Sequence, residues 1–208
     1  SLAHPHGILI SWALMMQGAI QVNSEGQRFS NEMGGYSEQA VKVLNQPSGI
    51  AWNIYDAPRH NFLIKGFPDY CEAVEAGAIR CGADAKELAK VTGLPESALA
   101  DTLAEALALA NGVGSDVLGR DFSDVAPLNA PYYAVKVTGA LFHTQGGLVI
   151  DNTARVHRTD GGVFTNLYAS GGAACGVSGP AVEGYLSGNG LLTAIALGYL
   201  AGRNASVF

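Results

Sequence analysis

The stretch His143-Thr144-Gln145-Gly146-Gly147 contains the residue types in this 208-residue sequence that come nearest to a ligand site. An imidazole and a hydroxyl stand directly before two glycines, which lead into the apolar run Leu148-Val149-Ile150. Paired glycines weaken a strand and leave nothing to pack, so their use here implies that backbone must approach something closely. A second such place is Gly188-Asn189-Gly190, which closes a glycine-rich loop and opens the apolar run "LLTAIALGYLAG". A helix starting there offers unpaired amides and about half a positive charge at its N-terminus. A glycine-rich loop running into such a helix can receive a polar or anionic group. The dinucleotide fingerprint G-x-G-x-x-G is missing from the N-terminal region, so most of a nucleotide site would lie outside these residues. His4 and His6 are further candidates to face a ligand. Cys71, Cys81 and Cys175 stand at no metal-ligand spacing; we expect no metal site, and reduced, mostly buried thiols in a cytoplasmic protein.

The elements that must position these residues follow from the pattern. Residues 19–22 and 27–30 read as a hairpin around the turn "NSEG". Asp84 is placed to cap a helix over 85–91 that Gly93 stops, and Pro95 sits in the first turn of a helix running to Asn111–Gly112. Leu99, Leu103, Ala106 and Leu107 give that helix one apolar face. From Pro131 onward the period is two, and "YYAVKV", "GLVID", "ARVHRT" and "VFTNLYAS" read as strands. The final helix is apolar on nearly every side and is expected to be buried. The fold class is therefore α+β (mixed α/β). A net charge of −6 with no basic stripe argues against a nucleic-acid partner. The longest apolar run falls short of the roughly 20 residues that a membrane span needs. With no initiator Met before apolar sequence, we expect a segment of a longer chain.

Four motifs, in order, are similar to one flavoprotein family: "GAIQVNSEGQRFSNE" (18–32), "HTQGGLVID" (143–151), "NLYASGG" (166–172) and "GYLSGNGLLTAIALGYLAG" (184–202). That family includes fumarate reductase, the succinate dehydrogenase flavoprotein subunit and the 3-ketosteroid dehydrogenases. The resemblance implies FAD as cofactor. It implies that residues 1–18 end a first FAD-domain segment, 19–130 form a substrate-capping domain and 131–208 are the returning part of the FAD domain. His143, Thr144, Gly146 and Gly147 would line the isoalloxazine, and Gly188, Asn189, Gly190 and Leu191 would aim a helix N-terminus at it. Gly172 stands where relatives carry a glutamate that touches FAD.

The sequence departs from the dicarboxylate enzymes of that family where they bind substrate. Tyr36 stands at the place of the proton-donating arginine, Phe142 at that of a substrate histidine, and Tyr185 aligns best with a substrate arginine. Losing two cationic clamps removes charge-assisted hydrogen bonds of about 1.5–3 kcal/mol each. The resemblance to the ketosteroid enzymes implies instead that Tyr185 polarises a substrate carbonyl and Tyr36 exchanges a proton. The small-molecule substrate is then a ketone or enone rather than a dicarboxylate. Two other readings stand beside this one: a non-catalytic flavoprotein-derived module, and a dicarboxylate enzyme whose arginines are others, such as Arg59 or Arg80. Arg28 and Glu32 are expected to pin the hairpin as an ion pair. Cys175 is expected to be a small buried residue. The segments "GFPDYCEAVEAG" and "GVGSDVLGRDFSD" are expected to be loops that shape specificity. Without the N-terminal FAD-domain half, uncovered faces should make the chain self-associate, bind FAD weakly and lack activity.

Overall fold

The computed structural model describes residues 1–140 and 142–206, which fall into two compact units, Ser1–Ala140 and Leu141–Phe208. At the centre of the first unit, β4 (Ile50–Asp56) and β6 (Tyr132–Thr138) pair antiparallel along their full length, from Ile50 opposite Thr138 to Asp56 opposite Tyr132. β3 (Ile20–Val22) joins the free edge of β4. On the other edge of β6, β1 (Leu2–Ala3) and β5 (Ile79–Gly82) follow one another, and β2 (Ile8–Leu9) lies beyond β1. The sheet thus takes strands from the start, the middle and the end of this unit.

The side-chain period of two sends alternate residues of these strands into two cores. Ala51, Tyr55, Val135 and Val137 pack under α1 (Ala13–Met16), α2 (Tyr36–Leu44), α3 (Ala57–Gly66) and α4 (Pro68–Glu75), which contribute Leu14, Val43, Leu63 and Tyr70. On the opposite face Ile20, Trp52, Ile54 and Ala134 pack against Leu88 of α5 (Ala85–Thr92) and Leu99, Leu103, Ala106 and Leu109 of α6 (Glu96–Ala110). Asp84 caps α5 by accepting the Glu87 N–H at 2.8 Å, and Gly93 ends it in a left-handed conformation, as expected. Pro95 precedes α6 rather than opening it. Its buried stripe includes Thr102 and Leu109, while Leu107 is 40% exposed. Thr102 sits there because its hydroxyl donates to the Gly26 carbonyl at 2.8 Å, which removes the cost of burying it. The expectation grouped β6 with the segment from 131 onward. In the structure this strand is the middle of the first unit's sheet, because both its faces are needed to close the two cores.

The second unit pairs β7 (Arg155–His157) with β8 (Val163–Tyr168) in a short antiparallel ribbon, and "GLVID" contributes isolated bridges at Leu148 and Ile150 rather than a full strand. Its buried cluster is small: Val156, Ala169 and Ala174, with Ile150 and Leu197 against them. The long helix α7 (Asn189–Ala205) is not buried as expected: Leu191, Leu192, Ile195 and Tyr199 are 62–74% exposed, and only Asn189 and Thr193 are buried. An all-round apolar pattern says that every face is fit for burial, but a face is buried only where a neighbour covers it, and here residues 171–173 and β8 cover one side. Among the described residues, no helix is long and apolar enough to cross a membrane.

Candidate functional site

In the second unit the His143–Gly147 stretch runs alongside residues 173–176. The Leu148 N–H donates to the Ala173 carbonyl at 2.9 Å, the Cys175 N–H to the Leu148 carbonyl at 2.9 Å, and the Gly176 N–H to the Gln145 carbonyl at 2.8 Å. These bonds draw the two backbones so close that a Cβ on Gly147 would lie 2.5 Å from the Ala174 carbonyl carbon and oxygen. What Gly147 approaches is therefore the chain's own backbone. Gly146 differs: nothing lies within 4 Å of where its Cβ would be, so its outer side is open. Gly147→Ala is expected to break the parallel bridge between Leu148 and Ala174 and to cost well over the ordinary ~1 kcal/mol of a point substitution. Gly146→Ala is expected to be tolerated, and comparative urea unfolding of the two variants checks the contrast.

The same unit brings His143 to the start of α7. Its Nδ1 lies 3.4 Å from the position of a Cβ on Gly190, and its ring meets that of Tyr185 edge-on, with centroids 5.2 Å apart and planes at 63°. Gly188 caps the helix with φ 85°, a conformation that costs glycine nothing. Asn189, 4% exposed, donates from Nδ2 to the Ser178 hydroxyl. Three buried atoms in these segments have no partner among the described residues: His143 Nε2, Gln145 Oε1 and Asn189 Oδ1. Each such group costs about 1–3 kcal/mol while unsatisfied, so the arrangement fits a polar heterocycle that donates and accepts along its edge. His143, Tyr185, Asn189 and Gly190 are thus brought together. Thr144, Gly172, Gly188 and Leu191 are exposed, and Leu191 points a 74% exposed side chain to solvent. Cys175 and Cys81 are exposed rather than buried, and Cys71 is half-buried.

In the first unit Tyr36 is the first residue of α2, 41% exposed, with its ring 6.4 Å from that of Trp12. α2 itself is seated by an amide chain that the sequence pattern did not reveal. Gln39 Nε2 donates to Gln21 Oε1 at 2.8 Å, and Gln21 Nε2 donates to Asn53 Oδ1 at 2.7 Å. His4 and His6 are exposed. Arg59 is no substrate clamp: it is 5% exposed, paired with Asp56 at 2.8 Å and donating to the Gln17 and Ala126 carbonyls. Arg80 donates to the Gly77 carbonyl on the surface.

The expected ion pair of Arg28 with Glu32 is present at 2.8 Å and belongs to a larger buried network. Arg28 also makes a two-pronged contact with Asp116, Arg120 reaches Glu32, and Phe122 lies under both guanidinium groups. Asp116 and Arg120 come from the loop read as a specificity element; in the structure these two residues hold the hairpin to α6's trailing loop instead. Burial works against charge on Arg28, yet the hydrogen bonds and charges of Glu32 and Asp116 raise its pKa.

Comparison with known proteins adds to this geometry. The family model of the FAD binding domain matches residues 1–191. A probable fumarate reductase of Shewanella frigidimarina is 31% identical over 201 residues, covering 96% of this chain and 33% of the relative. A 3-oxosteroid 1-dehydrogenase of Mycolicibacterium smegmatis is 29% identical over 216 residues, covering 88% of this chain and 37% of the relative. The open form of a flavocytochrome c3 fumarate reductase superposes with a TM-score of 0.74 at 30% identity, over 99% of this chain and 35% of that one. The chain spans about a third of the length of the relatives it matches.

Proposed function

This chain belongs to the FAD-binding domain family of flavoproteins, and from that premise we propose that it serves a larger FAD-dependent oxidoreductase as substrate cap and returning FAD-domain segment. The family's cofactor is FAD. The observation that carries the reading is the set of three unpartnered buried atoms: those on His143 and Gln145, in the stretch that leads to the open flank of Gly146, and that on Asn189, in the first turn of α7. Those residues would hold the flavin ring, with the α7 N-terminus favouring negative charge at its edge. Bound there, FAD would supply hydride chemistry on a carbon–carbon bond next to a carbonyl.

The substrate side of the proposal is a ketone or enone. Tyr185 would donate a hydrogen bond to the carbonyl, and Tyr36 would exchange the proton. A dianion needs cations, and the arginines of the described residues are largely committed. Arg28, Arg59, Arg120, Arg155 and Arg158 are each paired with a carboxylate. Similarity to fumarate reductases favours the competing dicarboxylate reading. The test is a visible spectrum of the whole protein, followed by turnover assays. A flavin band that dithionite bleaches, with turnover of a cyclic enone and none of fumarate, is the expected result. Fumarate reduction by a reduced dye would install the competing reading. A colourless protein that takes up no FAD would make the chain a non-catalytic module.

The missing partner in this reading is the N-terminal half of the FAD domain. The uncovered apolar faces of α7 and β8 support self-association of the isolated chain. Light scattering is expected to show a mass that rises with concentration, and a monomer at all concentrations would contradict it.

A further inference from the structure

One cluster in the first unit has no part in the flavin reading. Tyr55 on β4 and Tyr70 on α4 are 0% and 1% exposed, with their hydroxyl oxygens 2.6 Å apart. His60 on α3 places Nδ1 2.7 Å from the Tyr70 hydroxyl. The imidazole lies flat against Tyr133 of β6, with centroids 4.2 Å apart and planes at 12°, and Tyr133 stacks in turn on Tyr55. Cys81 of β5 sits opposite Tyr133 and beside its hydroxyl. These are the titratable groups that face His60 from α4, β4, β6 and β5. No described carboxylate or cation pairs with it.

The hydrogens in this chain can be counted. Two contacts join the three polar atoms, so they hold two hydrogens. Neutral His60 with its hydrogen on Nε2 satisfies the count: Tyr55 donates to Tyr70, and Tyr70 donates to Nδ1. Protonated His60 brings a third hydrogen to Nδ1. Whichever way the hydroxyls then turn, one buried O–H is left with no acceptor among the described residues, and a buried donor without a partner is costly.

We propose that the Tyr55–Tyr70–His60 chain is a pH latch, in which protonation of His60 reverses the chain and loosens the seat of α3 and α4 on the sheet. The phenols offer no escape by ionising, because burial holds both of them well above the ordinary tyrosine range. Burial also holds His60 below its ordinary value of 6.5. A histidine with a lowered folded-state pKa binds its proton more readily when unfolded. The latch is therefore complete above about pH 6.5 and is lost as the pH falls through the lower folded value.

Hydrogen–deuterium exchange of the chain read by mass spectrometry tests this in two ways. Backbone protection of 57–75, corrected for intrinsic rates, is expected to fall several-fold between pH 7.5 and pH 5, against a steady reference in 96–110. Exchange of the imidazole Cε1 hydrogen gives the His60 pKa directly. In Tyr70→Phe, which keeps the ring and its burial, that pKa is expected to fall further, since the imidazolium loses the acceptor of its Nδ1 hydrogen and a buried charged donor is costlier to leave unpaired than a hydroxyl. In Tyr55→Phe, which removes one hydrogen and one contact together, it is expected to stay where it is in the parent. Protection of 57–75 that does not change with pH overturns the latch even if no variant folds. An unshifted His60 in Tyr70→Phe overturns it as well, leaving burial as the whole cause.

Discussion

Replacing Tyr185 by phenylalanine in the flavin-loaded whole protein is expected to lower turnover of a cyclic enone by about 10²–10⁴-fold, the range that a lost acid–base or polarising group commands. Tyr185 contacts His143 through its ring, edge-on at 5.2 Å between centroids, and phenylalanine keeps that contact. The flavin spectrum and the reduction of flavin by dithionite should therefore be unchanged, and the loss should fall on turnover. The same substitution at Tyr36 is expected to slow the proton transfer and to leave α2 in place, since that helix is anchored by Gln39 and Val43. Steady-state rates on the enone check both. Turnover at the parent rate in Tyr185→Phe removes the carbonyl-polarising role from this residue.

Glu32→Ala is expected to destabilise the first unit by about 3–5 kcal/mol, the cost of taking one partner from a buried ion pair. Glu32 is fully buried and accepts four hydrogen bonds: the Gln21 N–H and Arg28 Nε on Oε1, and Arg28 Nη2 and Arg120 Nη1 on Oε2. The network holds two guanidinium groups and two carboxylates, so it is balanced. Without Glu32 a net positive charge remains where the Arg28 and Arg120 side chains are 3% and 0% exposed. Arg120 suffers most, since its Nε and Nη2 already lack partners among the described residues. Burial lowers the pKa of this guanidinium, and the Glu32 charge is the main effect opposing that. Urea unfolding followed by tryptophan fluorescence reads the difference, with Trp52 in the core of this unit. A loss under about 1 kcal/mol would mean that water reaches the site and the burial is not real.

The sequence by itself determined the local elements and the family. Asp84 and Gly93 bounded α5 because a side-chain cap and a left-handed stop act within a few residues, and the Arg28–Glu32 pair followed from their spacing of four. The glycine-rich motifs carried the family for a similar reason: close backbone approach admits few other residues. Tertiary structure decided which surfaces meet. Asp116 meets Arg28 and Arg120 meets Glu32 across 88 residues of sequence, and no local pattern announces such a contact. Gly146 and Gly147 look alike in sequence, and only the path of residues 173–176 makes one a tight fit and the other an open flank. The pattern in α7 gave its fitness for burial but not its exposure, because hydropathy records what a helix could bury and not which neighbour is there to cover it.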